Sequence, residues 1–510
     1  MAIFLNKYQH YLIYALILWI LLGIYYGDVM YVAQQNSFFS TEGILMNFLT
    51  SHYPYGYLWY IGRGFLQLFY YPLLGSALYT FILISISILL SYVCNLKGRW
   101  KVLQFIPGLL WIAFLFFQGF NIYYQHETGK IIGIPFCILI ILTLQSLFIR
   151  TFNKRTIGSA LIIADTEKKR NLFNNILLVL VSSLLIIGNE IYRPYVRPTV
   201  KMQKALQNED WETMIRTAKD CDVIVRPIAA YYAIALMQTG QITQSLFDID
   251  FNYSEIYLHD RNGDKDYGAA YYQADGNFHA GLLNSAYKNA MEQLTMDGPN
   301  ALNLKMLAET SLLNGETELC NKYLTILSKL PFEHKFVKKI KELNQKKEQI
   351  ENDERLSKIK RLIPVEESFE TWYREPLFLG YNIALLQGRS MEALDASLAA
   401  CLYTKLMPDF LIRTQPLIDS TLKRNIEDAL TMEASKNNRI SEAFHIGTLS
   451  LQKYNLFMNS AAPYRKNRKE GAKKLKEQFL GYYPYYYFFG NIKSENKEKA
   501  TKTENKPQIN

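Results

Sequence analysis

The sequence predicts an all-α protein: an N-terminal bundle of about five transmembrane helices followed by an α-solenoid of helix-turn-helix repeats. Two observations carry that reading. First, five stretches without a charged residue fall within the opening 190 positions: Tyr11 to Gly27, Gly64 to Leu96, Val102 to Gln125, Ile131 to Ile149 and Asn171 to Asn189, running 17, 33, 24, 19 and 19 residues. Crossing ~30 Å of hydrocarbon takes about 20 apolar residues in a helix, and backbone in lipid must satisfy its own hydrogen bonds. Second, from Tyr192 onward the chain is polar, charged and helix-patterned, with no period-two alternation of strand length. The hydropathy break predicts a transmembrane domain over 1–190 and a soluble helical domain over 191–490. The Lys/Glu/Asn-rich tail over 491–510 has the composition of a disordered segment.

The spans are expected at about 9–27, 73–95, 103–124, 131–150 and 172–190. The first ends in Tyr25-Tyr26-Gly27 without a small-x-small cleavage site, so it reads as a retained helix and not a removed signal peptide. With the N-terminus inside, the inner loops hold ten basic residues: Lys7, Lys97, Arg99, Lys101, Arg150, Lys154, Arg155, Lys168, Lys169 and Arg170. The outer loops hold two, Arg63 and Lys130. The positive-inside rule then puts residues after the fifth span outside the cytoplasm, periplasmic in a cell with two membranes. Arg193, Arg197, Lys201 and Lys204 follow that span on the outer side, against the trend. They do not reverse it, because long translocated domains largely escape the charge rule.

The first outer loop, 28–71, is aromatic. Gly43 to Leu49 reads as a short amphipathic turn, and Tyr53-Pro54-Tyr55-Gly56-Tyr57-Leu58-Trp59-Tyr60 reads as an interfacial belt, so the loop is expected along the outer surface. The rival reading makes 43–60 a sixth span, against Asn47, His52 and Pro54.

Three segments of the soluble part share a pattern around a glycine. They are Ala233 to Gly240 with Ser245, Ala308 to Gly315 with Cys320, and Tyr381 to Gly388 with Ala393. A weaker copy centres on Asn438 with Ala443, and Pro331 and Pro408 fall near the closing position of a unit. This resembles the tetratricopeptide helix-turn-helix, in which a residue seven before the turn and a small residue five after it let two helices approach closely. The resemblance implies a concave groove for a peptide or protein partner. Spacings of 75 and 73 residues between the glycines are close to two units of roughly 34 each. His334 to Arg361 is rich in charge over a thin stripe of Phe336, Val337, Ile340, Leu343 and Ile350, and predicts one long solvated helix.

Candidate chemistry is sparse. Asp260, Asn262, Asp264 and Asp266 alternate oxygen ligands as a calcium loop does, but Lys265 and Tyr271 stand where an EF-hand needs glycine and glutamate. A plain polar turn is the favoured account. Asp28, Glu42, His52, Arg63, His126 and Glu127 collect on the predicted outer side. Asp28 and Glu42 are the candidate catalytic acids, because an acid after the first helix, followed by a long interfacial loop, resembles the layout of multi-pass polyprenyl-phosphate-sugar glycosyltransferases. The structural alternative is that loop ends are where charges belong. The run Tyr482 to Phe489 reads as a cap packed over the end of the solenoid, the alternatives being stacking on sugars or lying at the bilayer surface. Cys94, Cys137, Cys221, Cys320 and Cys401 form no ligand cluster, and the seven histidines form no spaced set, so no cofactor or metal is expected. Residues 191–510 carry 44 Lys+Arg against 40 Asp+Glu, too balanced for a nucleic-acid partner.

The segment Tyr53 to Gly75, with Asp210-Trp211-Glu212 and Arg226 to Ile242, resembles an uncharacterised family of bacterial multi-pass membrane proteins, a domain of unknown function. Tyr55 departs from that pattern, where a glycine is expected. The resemblance implies architecture and no activity. The expected role is a scaffold in a bacterial inner membrane that recruits a peptide or protein to an extracytoplasmic solenoid. The alternative is an enzyme of envelope-glycan or lipid-linked-sugar chemistry.

Overall fold

The computed structural model describes residues 2–51, 55–96, 98–118, 128–153, 168–251, 269–367 and 390–490. Every regular element among the described residues is helical. The chain forms two compact units: residues 1–201 with 293–305 and 321–339, and residues 202–292 with 306–320 and 340–510.

In the first unit, Pro72–Val93, Trp100–Phe117, Lys130–Phe152 and Asn174–Tyr192 are long and apolar enough to cross a membrane. A fifth span exists if the bent pair Gln9–Tyr25 and Gly27–Gln35, which turns by 62°, counts as one. The bend has a local cause. Residues Ile20–Tyr25 form a π-turn, the Tyr26 N–H reaching back five residues to the Leu21 carbonyl at 2.9 Å, and Gly27 restarts an ordinary helix. The end of this first helix is tied to the end of the last one. Tyr25 donates to the Glu190 carboxylate at 2.8 Å and accepts from the Asn189 amide at 2.8 Å, while Arg197 pairs with Glu190 and donates to the Tyr25 carbonyl at 3.1 Å. Arg197 thus has a local counter-charge, which accounts for one of the basic residues that ran against the charge asymmetry.

The loop over 28–71 is folded. It contains Gly27–Gln35, Gly43–Ser51 and Gly56–Leu66, so the expected turn at 43–49 is a helix of nine residues and Tyr57 to Tyr60 lie within another helix. The Gly56–Leu66 helix packs against Lys130–Asn153 through glycine: a Cβ on Gly62 would sit 2.1 Å from the Gly129 carbonyl oxygen and 2.8 Å from the Gly133 nitrogen. Such backbone-to-backbone approach is open only to residues without a side chain. Both ends of the 43–60 segment meet the same short stretch of chain. Before it, Ser40 donates to the Lys329 carbonyl at 3.0 Å and Glu42 pairs with the Lys329 ammonium. After it, Tyr70 stacks on Phe332 with ring centroids 4.1 Å apart and planes 7° apart, and Tyr71 meets the same ring edge-on at 6.1 Å. Phe332 holds φ +69°, a left-handed conformation that a side-chain-bearing residue adopts only when its surroundings enforce it.

In the second unit, Arg226–Gln238 is buried on nearly every side and packs between Trp211–Lys219 and Ala269–His279. It ends at Gly240, φ +69°, with Gly240 N–H on the Met237 carbonyl and Gln241 N–H on Leu236. This two-bond Schellman closure recurs at Gly315, on Leu312 and Ser311, and at Gly281, on Phe278 and Asn277. Gly281, with Ala274 seven before it and Ala286 five after, has the same pattern 34 residues before Gly315 and was overlooked in the sequence. Gly388 and its pattern lie outside the described residues. The single long helix expected over His334 to Arg361 is not formed. The chain makes His334–Gln345, a short 3₁₀ turn Lys347–Asn352 and Glu354–Leu362, the last capped by Asp353 accepting from the Leu356 N–H. Of the thin stripe, Ile340, Leu343 and Ile350 are buried and Phe336 and Val337 half-buried, and Leu356 and Ile359 beyond it are buried too, so burial decided the break where charge had suggested continuity.

Gly62→Ala should lower the thermal stability of the detergent-solubilised chain by an amount typical of overpacking, about 1–3 kcal/mol. Gly43→Ala, where a Cβ meets nothing within 4 Å, should be near neutral.

Candidate functional site

The second unit contains a cavity of about 230 Å³ at the C-terminal end of Arg226–Gln238, lined by Met237, Gln238, Thr239, Gly240, Ile242, Lys358, Leu362, Glu392 and Asp395. The Schellman turn at Gly240 exposes helix-end carbonyls there, and two lysines reach in to satisfy them. Lys358 donates to the Gln238 carbonyl at 3.2 Å and to Glu354 at 2.9 Å; Lys423 donates to the Gly240 carbonyl at 3.1 Å and pairs with Asp395. Cations at a helix C-terminus also oppose its partial negative charge. Thr243 donates to Asp395 at 3.2 Å, and Arg361 donates to Glu392 at 3.1 Å. Ser390 caps the helix Met391–Thr404 that carries Glu392 and Asp395. The Glu392 carboxyl is held below the usual range by its own backbone N–H and by Arg361. Apolar Met237, Ile242 and Leu362 share the lining with these alternating charges, an arrangement suited to recognising a polar side chain or chain end by hydrogen bonds.

Next to it lies a buried charge cluster. Arg355 forms a two-pronged pair with Glu309, itself 5% exposed, and donates to Glu209 at 3.1 Å. Phe278 lies under the guanidinium at 5.8 Å. Burial pulls the Arg355 pKa down, but Glu309 and Glu209 outweigh it and keep the guanidinium protonated. Asp275, accepting from Tyr231 at 3.3 Å, is pushed up to about 7, chiefly by burial and further by Glu309. His279, bonded to the Gln238 amide at 3.0 Å, is driven well below the usual histidine range by burial and by Arg355. Gln238 links the two features, its carbonyl facing Lys358 and its side chain facing His279, and one helix, Glu354–Leu362, supplies both Arg355 and Lys358.

The residues singled out from sequence do not converge here. Glu42 is engaged by Lys329, each about one-third exposed, so its carboxylate holds the loop together. Asp28 sits in the first turn of Gly27–Gln35, after the bend, and Arg63 is buried and donates to the Phe38 carbonyl at 3.2 Å. His52, His126 and Glu127, and the calcium candidates Asp260, Asn262, Asp264 and Asp266, lie outside the described residues. Among the described residues no group of three or more His, Cys, Asp or Glu side chains could hold a metal ion. Of the readings of Tyr482 to Phe489, sugar stacking is the one its packing opposes: Tyr482, Tyr485 and Phe489 are packed with Phe457, Leu475 and Phe479, and Tyr483 and Tyr486 are buried against Tyr403 and Phe247. Cys320 and Cys401 are buried, whereas Cys94 is exposed. What sequence reasoning missed was the Lys358 and Arg355 face of Glu354–Leu362. The signal was there in Asp353 with Leu356, Ile359 and Leu362, a cap followed by a helical stripe.

Over residues 111–490 the chain matches a family of unknown function (DUF6057). No curated protein and no solved structure matches it. The matched region runs without interruption from the third apolar helix to the end of the aromatic helix Tyr483–Phe489.

Asp275 and His279 should give opposite pH dependences. Between about pH 4 and 7 the unfolded chain has lost the Asp275 proton that the folded chain keeps, so Asp275 favours folding on the acid side and that contribution is lost as pH rises through 7. His279 is neutral when folded, so its contribution is present above about 6.5 and lost as pH falls below it. Melting scans at pH 5, 6 and 7 should show Asp275→Asn gaining stability with pH relative to wild type, and His279→Gln losing it.

Proposed function

The chain belongs to the family of unknown function DUF6057, and we propose that it is a membrane-anchored scaffold whose helical domain recruits a peptide or protein partner. The observation that carries this reading is the cavity beside Gly240, where paired charges from Lys358, Glu392 and Asp395 surround an apolar lining within a series of helical hairpins. Hairpins of this kind, resembling tetratricopeptide units, hold a recognition surface by stacking and need no chemistry of their own. The setting proposed is a bacterial inner membrane with the N-terminus in the cytoplasm. The Lys329–Phe332 stretch belongs to the same compact unit as the apolar helices and meets the first loop at Ser40 and Glu42 as well as at Tyr70 and Tyr71. Two ends of a segment held by one short stretch do not lie on opposite faces of a bilayer, which argues against 43–60 as a sixth crossing. Counting the bent pair Gln9–Tyr25 and Gly27–Gln35 as one crossing gives five spans before the helical domain, an odd number. The basic residues of the inner loops favour the extracytoplasmic side for that domain.

The rival reading, an envelope-glycan or lipid-linked-sugar enzyme, keeps one observation in its favour: Asp28 opens the helix that follows the bend in the first apolar segment. Engagement of Glu42 by Lys329 removes its second acid from ready service. Asp28→Asn at normal abundance should leave any envelope phenotype unchanged under the scaffold reading, and a loss would favour the enzyme.

Co-isolation from native membranes after gentle solubilisation tests the scaffold directly, with wild type compared against Glu392→Lys. The exposed Arg361–Glu392 pair contributes little to stability, so the variant should fold normally. A partner captured by wild type and reduced about ten-fold by the charge reversal is the expected result. Equal recovery with both proteins, or nothing above background with wild type, contradicts it.

A further inference from the structure

The helical domain carries two strongly basic segments, 335–347, with six lysines against Glu342, and 465–477. Residues 465–477 hold seven basic side chains against Glu470 and Glu477, a net +5, whereas the whole of 191–510 carries only +4. Without this segment the remainder is slightly acidic. The segment includes most of the helix Arg468–Phe479, whose inward side is fixed: Gly471, Leu475 and Phe479 are buried, a Cβ on Gly471 would lie 2.6 Å from the Phe489 ring, and the Tyr485 hydroxyl donates to the Ala472 carbonyl at 2.7 Å. The outward side is therefore presented rigidly. Arg465, Lys466, Lys469, Lys473 and Lys474 are all exposed and have no carboxylate partner among the described residues. Only two of the seven are committed elsewhere, Lys476 to Asp250 at 2.8 Å and Arg468 to the Phe488 carbonyl.

We propose that this face docks on an anionic lipid surface. Its cations are mostly lysines, compact point charges that suit a diffuse layer of headgroups better than a fixed bidentate partner. The chain is held to a bilayer by its own apolar helices, so headgroups are the polyanion maintained at high effective concentration around the domain. Exposed Leu456, on the helix packed against this one, and Leu480, at its C-terminal end, supply the apolar contacts that interfacial binding adds to charge. The inference is independent of what the cavity beside Gly240 binds.

The test uses the full chain in lipid nanodiscs and a water-soluble amine-acylating reagent, with labelling of each lysine read by mass spectrometry. In discs containing about 30% phosphatidylglycerol, Lys466, Lys469, Lys473 and Lys474 should react about three-fold or more slowly than in purely zwitterionic discs. Exposed Lys436, outside both basic segments, serves as a reference that should not change. Salt at about 0.5 M should restore the faster rates, because the attraction is screened. Equal rates in both kinds of disc overturn the proposal. So does protection seen only when inorganic polyphosphate is added to zwitterionic discs, which would assign the face to a free polyanion.

Discussion

Lys329 and Phe332 hold together the parts of the first unit that a linear reading would keep apart. A stretch of four residues meets Ser40 and Glu42 with a carbonyl and an ammonium, and Tyr70 and Tyr71 with one aromatic ring. The ion pair is partly exposed and contributes little by itself. Stacking of Phe332 on Tyr70 is the stronger element, and the left-handed backbone at Phe332 shows that the ring is positioned at some conformational cost. Once these contacts are made, the path of the loop from 40 to 70 is bounded at both ends. The close approach of Gly62 to Gly129 and Gly133 then fixes its middle.

That constraint sets the two ends of the loop beside one another without any counting of charge. The positive-inside rule weighs basic residues in loops, and the four that follow the last span count against the orientation preferred here. Arg197 shows why such a count misleads: its charge is used locally, on Glu190 and the Tyr25 carbonyl, to join the ends of two apolar helices. A basic residue with a structural partner carries less topological information than a free one.

The apolar helices were legible because hydrocarbon imposes a length and a composition on each segment by itself. Turn glycines at 240 and 315 were legible for a similar reason, since a left-handed closure selects glycine locally. Gly281 performs the same closure and carries the same flanks, Ala274 seven residues before it and Ala286 five after, so the repeat signal was present there and was overlooked. The helix break between Gln345 and Glu354 was misread because charge content suggested solvent, whereas Ile340, Ile350 and Leu356 are buried by tertiary packing that no local rule encodes. The candidate site was the least legible. Lys358, Glu392 and Asp395 are ordinary surface residues in sequence and line one cavity only where Gly240 ends its helix beside them. Asp28 and Glu42 suggested chemistry by position in the chain, and the fold uses Glu42 to hold Lys329.

Cysteine accessibility tests the central claim most directly. In a chain lacking its five native cysteines, single reporters would stand at Tyr55→Cys, on the loop and 79% exposed, and at Lys335→Cys, just beyond Phe332. A membrane-impermeant maleimide should label both in intact spheroplasts. If either is labelled only after lysis, the loop and the helical domain do not share the extracytoplasmic side and the account fails.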